Sequence, residues 1–473
     1  MTDTTSPPAP TTGSWRELLG PKNLGASTVL AGGVALYATN EFLTISLMPS
    51  AIADIGGQRF YAWVTTVYLV GSVMAATTVH SVLMRLGPRW SYLLGLSVFG
   101  LGSLGCAVAP SMEILLVGRT VQGAAGGMLA GLGYAVINTA LPSHLWTKAS
   151  ALVSAMWGVG TLVGPASGGL FAQYSSWRWA FGVLVVMTTA MSLLVPLALP
   201  GRDHSSDVPR ARVRIPLASL VLLGAAALLV SAAGIPHDVR ATAGLVVAGF
   251  ALVGVFLIVD RRVTASVLPP SAFGGGPLKW IYLTLGVLMA ATMVDMYVPL
   301  FGHRLAHLTP VAAGFLAAGL AIGWTVGEIS SASLSRERGI RRTVAVAPVV
   351  MAVGLTIGAV TQHEDASPAL VAVWAVGLVI SGAGIGIAWP HLSAWAMSKV
   401  DDPAEGPAAA AAINTVQVIS AAFGAALAGV VVNVVDSGDA TAARWLFGCF
   451  AGLAALAAVA STRSGRPTNR STP

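Results

Sequence analysis

Charge is what this 473-residue chain has least of: Asp, Glu, Lys and Arg make up 10% of it, against 55% hydrophobic residues. A soluble chain of that length needs far more charge to cover its surface, so the sequence reads as an integral membrane protein. Cysteine is nearly absent. Cys106 and Cys449 lie far apart in apolar segments, which leaves neither a disulfide framework nor a metal-ligand spacing, and no metal or other cofactor is expected. No G-x-S-x-G, H-E-x-x-H or G-x-x-x-x-G-K-[ST] occurs, so neither hydrolysis nor ATP use is expected, and the chain does not read as an enzyme. Nothing in the first thirty residues resembles a cleavable signal peptide, and Met1–Gly20, rich in Pro and Thr, reads as a disordered tail.

What the chain does have is long apolar runs. Crossing the hydrocarbon takes about 20 apolar residues. Fourteen stretches meet that length: Thr28–Ala51, Phe60–Met84, Trp90–Ala109, Met112–Leu141, Thr147–Gln173, Trp177–Leu199, Ile215–Gly234, Ala241–Val259, Leu278–Gly302, Thr309–Leu334, Arg342–Thr361, Ala369–Met397, Pro407–Val435 and Thr441–Ser461. The net charge of +7 is explained by where the cations fall. With the N-terminus in the cytoplasm, only Arg59, Arg178, Arg240, Arg304 and Arg444 lie outside and Arg119 lies within a helix. Every other Lys and Arg sorts to the cytoplasmic side, which predicts a multi-pass protein of the cell inner membrane with both termini cytoplasmic and no nucleic-acid partner. The abundance of Ala, Gly, Val and Arg over Lys is that of a GC-rich bacterial genome.

The stretches group as six, two and six. Polar, basic loops at Pro200–Arg214 and Asp260–Pro277 bracket the middle pair. The expected organisation is therefore a tail at 1–27, a six-helix bundle at 28–199, a linker with two extra spans at 200–277, a second six-helix bundle at 278–461 and a tail at 462–473. Glu41 precedes Pro49 in the first helix of one half and Asp295 precedes Pro299 in the first helix of the other, the kind of internal pairing found in secondary transporters.

Ionisable residues inside the membrane mark sites. An isolated Arg at the bilayer centre costs about 2.5–3.5 kcal/mol on the lenient scale, so Arg119, in the glycine-rich run Leu116–Gly127, must face protein or a water-filled cavity. Gln122 shares its face. Glu41, on a stripe with Tyr37, Thr44 and Met48, is either a hydrogen-bonded structural carboxyl or a proton carrier, and the default for an intramembrane acid is function. Asp295 near the outer end of its helix and Glu328 near a cytoplasmic end are weighed the same way, with headgroup exposure the alternative for Asp295 and pairing with Arg341 or snorkelling the alternative for Glu328. His391 is a second proton site or a packing histidine. Asn414 and Gln417 give a narrow polar face for helix packing or substrate. Trp157, Trp324 and Trp389 lie deep enough to stack a lipophilic or cationic substrate.

Two motifs carry a family resemblance. LLVGRTVQGAAGG, with Arg119, Gln122 and Gly123, and GTLVGPASGG, with Gly160, Gly164, Pro165, Gly168 and Gly169, resemble the fourth-helix and fifth-helix motifs of the major facilitator superfamily, in its fourteen-helix drug:proton antiporter branch. WRWAF at Trp177–Phe181 is similar to the aromatic start of the sixth helix in many members. The resemblance implies two six-helix bundles plus two inserted helices, an arginine assigned to proton coupling and an antiporter motif associated with exporters. The family's loop after the second helix is matched by Arg85, Gly87 and Arg89 of a cytoplasmic gate, with Met84 where that pattern has an acid; Glu41 is the acid nearest to the branch's first-helix aspartate.

The chain thus reads as a proton-coupled exporter of drugs or lipophilic small molecules working by alternating access, with Glu41, Arg119, Asp295 and Glu328 as coupling residues and a monomer expected. An exporter of lipids or cell-envelope glycolipids on the same scaffold, with an extracytoplasmic partner, is the first alternative. A non-transporting sensor or scaffold is the second.

Overall fold

Apolar runs this long with few breakers leave the backbone one way to satisfy its own polar groups away from water, and the chain takes it. The structure is a computed structural model; it describes residues 14–199 and 215–465, apart from His237, Ser335, Pro403, Ala404 and Asp436. Arg202, Arg210, Arg212, Arg214, Arg466 and Arg470, and the side chain of His80, lie outside the described residues. Helices cover all fourteen apolar stretches, and no strand occurs among the described residues.

The long helices are α1 (Leu24–Ile55), α2 (Tyr61–Ala76), α3 (Val79–Ala107), α4 (Met112–Ala135), α5 (Trp146–Tyr174), α6 (Trp177–Ala198), α7 (Leu217–Ala232) and α8 (Val239–Asp260). They continue as α9 (Leu278–Ala306), α10 (Pro310–Ser331), α11 (Glu337–Thr361), α12 (Pro368–Ser398), α13 (Gly406–Val434) and α14 (Asp439–Ser464). Local chemistry starts several of them. Thr309 and Ser367 each accept a backbone N–H three residues on, and Pro310 and Pro368 follow at the first helical position, where a missing N–H costs nothing. Ten helices among the described residues are long and apolar enough to cross a membrane. α1 and α4 fall outside that ten because they carry polar residues mid-run, and α2 and α7 because each has 16 residues.

The packing repeats itself. α1 packs on α4, α5 and α6, α2 on α4, and α3 on α4 and α6. In the later part of the chain α9 packs on α12, α13 and α14, α10 on α12, and α11 on α12 and α14, the same scheme eight helices on. The two sets meet along two seams, α2 against α13 and α5 against α10. The α7–α8 pair lies at the first seam, with α7 touching both α2 and α13. Arg304 at the end of α9 donates to Asp439 at the start of α14 (2.8 Å) and to Gln58 in the α1–α2 turn (3.0 Å), which defines a distal face opposite the face that carries both ends of the described chain.

Three local features differ from the sequence expectation. Residues 14–20 are folded rather than loose: Trp15–Leu18 is a helical turn capped by Ser14, Leu18 is fully buried and Glu17 pairs with His144. The second stretch is broken at Thr77–Thr78, and the Arg85–Arg89 segment is a kink inside α3, where Gly87 takes φ 76° and Pro88 cannot donate. α9 tightens to a 3-10 turn at Met293–Tyr297, because Pro299 removes the N–H owed to the Asp295 carbonyl and its ring crowds that group.

The α5 glycines permit a close approach to α1. A Cβ on Gly164 would sit 2.6 Å from the Phe42 Cβ of α1, whereas one on Gly158 would meet nothing within 4 Å. Gly164→Ala is therefore expected to destabilise by about 1–3 kcal/mol through overpacking. Gly158→Ala is expected to hold or raise stability by up to about 1 kcal/mol through helix propensity. Thermal melting of the purified protein in detergent checks the opposite signs.

Candidate functional site

Gly123 and Gly127 let α4 run hard against α2: a Cβ at those positions would lie 2.1 Å from the Tyr68 carbonyl oxygen and 2.2 Å from that of Ser72. This approach sets Arg119 of α4 under the ring of Tyr68, its guanidinium 4.0 Å from the ring centroid. Arg119 is 1% exposed. Its Nη1 donates to Gln122 Oε1 (2.9 Å) and Asn40 Oδ1 (3.2 Å), and its Nε to the Val64 carbonyl (3.4 Å). Gln122 Nε2 in turn donates to Ser103 Oγ of α3 (2.8 Å), which is itself tied to the Phe99 carbonyl. Four helices thus converge on one buried cation whose donors meet neutral acceptors and an aromatic face.

Glu41 lies next to Asn40 on α1. Among the described residues no hydrogen bond or ion pair holds its carboxylate, although the charge of Arg119 reaches it. Asp295, 8% exposed, sits in the 3-10 turn of α9 with Oδ1 unpartnered, and Glu41 is near enough for the two carboxylates to repel when both are ionised. Glu41 therefore stands between Arg119, held inside the first set of helices, and Asp295 on α9 of the second. Asn40 Nδ2 and the Tyr297 hydroxyl are buried there without partners too.

Tyr37 stacks on Tyr68 (5.6 Å), meets Trp157 of α5 edge-on (5.4 Å) and shares a hydrogen bond with Ser72 (3.2 Å). Thr44 is buried and donates to the Asn40 carbonyl (2.7 Å). Glu328 stands apart, accepting from Trp324 Nε1 (3.1 Å), with Trp324 packed on Trp389 at 5.2 Å. His391 reaches the Ser331 carbonyl (3.1 Å), a contact that ties α12 to α10. Asn414 is exposed and Gln417 half-buried on α13. Along α5, Gly160, Gly164 and Gly168 seat on α1, while Gly169 lies against Val311 of α10 and the Pro165 carbonyl faces Gly314, also of α10. Arg89 donates twice to the Leu199 carbonyl at the end of α6, within its own set of helices.

Asn40, Val64, Tyr68 and Ser103, the groups that hold Arg119 and Gln122, escaped the sequence reading. Only Asn40 left a signal, a second polar residue beside Glu41. At the distal face Tyr61 and Tyr297 stack at 4.6 Å, and the Tyr61 hydroxyl donates to the Met296 carbonyl (2.8 Å), joining α2 to α9. Asp54 there is bound by Arg178 and Trp177, and the Arg178 hydrogen bond holds its carboxyl below the usual range. No group of three His, Cys, Asp or Glu fit to hold a metal occurs among the described residues. Cys106 is buried, donating weakly to Gln122, and Cys449 is exposed.

Lys cannot reproduce a planar fork that bonds Asn40 and Gln122 while stacking on Tyr68. In a double-mutant cycle, Asn40→Ala and Arg119→Lys are expected to couple by about 1.5–3 kcal/mol, the range of a buried charged hydrogen bond. Melting of the two single variants and the double variant measures it.

The sequence profile of the Major Facilitator Superfamily matches residues 30–425. A "Probable multidrug-efflux transporter" of Mycobacterium tuberculosis is 63% identical over 464 residues, 98% of each chain. "Multidrug resistance protein 3" of Bacillus subtilis is 23% identical over 386 residues, 80% of this chain and 73% of that one. Among solved structures, a bacterial homologue of the human lysosomal transporter Spinster, in an inward-facing and unoccupied conformation, superposes with a TM-score of 0.65 at 14% identity, covering 96% of this chain and 98% of that one. The chain belongs to the Major Facilitator Superfamily: it is a multi-pass membrane transporter and not an enzyme.

Proposed function

We propose that the chain exports drugs or other lipophilic small molecules by proton-coupled antiport, alternating access between the two faces of the cell inner membrane. The observation that carries the reading is the pairing of a fully buried Arg119 with an unpartnered Glu41 at the junction of the two sets of helices. A carboxyl in that position exchanges a proton with whichever face it meets, and its charge is felt by Arg119 and by Asp295. Inward movement of one proton contributes about 2.3 kcal/mol per 100 mV of membrane potential. The M. tuberculosis relative, named as a multidrug-efflux transporter, supports drugs as cargo. Glu328 is a further coupling acid, and Tyr37, Trp157, Trp324, Trp389, His391, Asn414 and Gln417 line the path.

The division into bundles at 28–199 and 278–461, with a two-span linker at 200–277, is supported by the repeated packing scheme. Fourteen spans with both termini cytoplasmic make the terminal face cytoplasmic, in line with the sorting of Lys and Arg. In this reading Gly169 and Pro165 form the surface on which the first bundle rocks against α10, while Gly160, Gly164 and Gly168 hold α5 on α1. Arg85, Gly87 and Arg89 set the cytoplasmic end of α3 against α6, and Tyr61, Met296 and Tyr297 form the outer latch.

In sealed proteoliposomes under an imposed acid gradient, Glu41→Gln is expected to abolish gradient-driven drug efflux while drug binding to the purified protein persists. Wild-type efflux in that variant removes Glu41 from the mechanism. Tyr61→Ala is expected to raise the reactivity of a cysteine placed at Ser46 toward an impermeant thiol reagent from the outer face, against a Cys106→Ser, Cys449→Ser background. Unchanged reactivity rejects the latch.

A further inference from the structure

Several positive side chains gather at the terminal face where α11, α12 and α14 meet, away from the central path. A cavity of about 320 Å³ is lined by Arg338, Arg341, Arg342, Ala345, Thr462 and Gly465. All three arginines are exposed, and among the described residues none has an ion-pair or hydrogen-bond partner. Lys399, just past the end of α12, donates to the Ser464 carbonyl (3.1 Å) and lies 4.1 Å over the ring of Trp395. Burial lowers its pKa first, and the positive charge of Arg341 lowers it further. Arg463 stacks on Trp280 at 4.5 Å. Cations backed by tryptophans are the furniture of the headgroup layer.

Beyond the cavity, α11 and α14 each present exposed aliphatic side chains. Arg338, Arg342, Val346, Val349 and Val353 recur at helical spacing on one face of α11, and the three valines are exposed. On α14, Thr462, Val459 and Leu456 run the same way, with Val459 and Leu456 exposed. A positive pocket next to exposed aliphatic surface complements a molecule with an anionic head and long alkyl tails.

We propose that this cavity binds an anionic phospholipid, its phosphate held by Arg338, Arg341 and Arg342 and its acyl chains laid along Val346, Val349, Val353, Val459 and Leu456. Guanidinium forks match phosphate oxygens bidentately, and basic pockets between membrane helices are suited to such headgroups. The site rests on the membrane embedding of the chain and not on proton coupling, so its failure leaves the transport reading intact.

Native mass spectrometry of the purified protein, in detergent supplemented with phosphatidylglycerol and phosphatidylethanolamine, tests it. Wild type is expected to retain phosphatidylglycerol preferentially. The triple variant Arg338→Gln, Arg341→Gln, Arg342→Gln is expected to lose about tenfold of that retention, while Arg261→Gln, Arg262→Gln on the same face keeps it. Equal retention in the triple variant overturns the site, and so does displacement of the lipid by millimolar inorganic phosphate, which would assign the cavity to a free anion. Where the triple variant does not fold, wild-type melting decides. Stabilisation by phosphatidylglycerol over phosphatidylethanolamine, weakened in Arg341→Gln, upholds the site, and its absence rejects it.

Discussion

A guanidinium shut away from water has to be met by acceptors on every side it offers, and at Arg119 that requirement fixes four helices at once. The effective penalty for burying such an ion is several kcal/mol, recovered only when geometry is good and the remaining donors are bonded. α1 supplies Asn40, α2 the Val64 carbonyl and the Tyr68 ring, α4 itself Gln122, and α3 holds Gln122 in place through Ser103. The glycines of α4 follow from this need, because a side chain at Gly123 or Gly127 would push α2 and its tyrosine away. Since the acceptors are neutral, the positive charge remains uncompensated locally, and the carboxyl of Glu41 on the next position of α1 is the group that feels it.

The repeated packing scheme does not carry a repeated site. Where the first six helices hold a cation between α2 and α4, the corresponding pair, α10 and α12, holds Trp324 and Trp389 beside Glu328. Where α1 runs unbroken past Pro49, α9 tightens at Asp295. A symmetric scaffold thus presents an asymmetric interior, with the buried cation on one side only and a tryptophan pair at the corresponding place on the other. The contacts between the two sides divide by kind as well. Tyr61 to Met296, Arg304 to Gln58 and Asn433 to the Arg59 carbonyl are directional bonds at the distal face, whereas Gly169 on Val311 is a bare van der Waals contact. Dispersion contacts are individually weak and tolerate sliding, while hydrogen bonds hold or break.

How much of this was readable from the residues depended on contrast. Arg119 and Glu41 stand out because charge inside an apolar run has few innocent explanations, and the Gly-Pro spacing of α5 announces a close helix partner. The partners of Arg119 were invisible for the opposite reason. A serine, a tyrosine or a main-chain carbonyl in a membrane helix is ordinary, and only the rotation of two other helices, α2 and α3, brings Tyr68, Val64 and Ser103 to one point. The folded segment at 14–20 was obscured by its Pro- and Thr-rich surroundings, although the Ser14 cap and the buried Leu18 are local. The Gly87–Pro88 kink looked like a loop because that pair marks both equally well. The tightened turn at Asp295 follows from Pro299 once the four-residue reach of the proline ring is considered.

The α7–α8 pair shows how the same distinction between bond types is used at a seam. α7 is fastened to the first set of helices by direction-dependent bonds: Trp63 Nε1 donates to the Ser231 carbonyl (3.1 Å), Ser231 Oγ to Thr66 Oγ1 (3.1 Å), and Arg59 to the Ile235 carbonyl just beyond it (2.9 Å). At its foot on α13 the chain packs Gly234 against Gly429 and Asn433, with no side chain on the glycine to interlock. Asp260 at the end of α8 accepts from Ser219 and from the Val267 and Leu268 amides, so the pair is closed on itself. Elsewhere side chains do interlock with α13: Phe250 of α8 meets the Phe423 ring (6.3 Å), and Ile419 packs with Leu220, Leu223 and Phe256. The pair therefore bridges the α2–α13 seam, bonded to α2 and packed on α13, while at the α5–α10 seam Gly169 and Gly314 let the two helices approach closely.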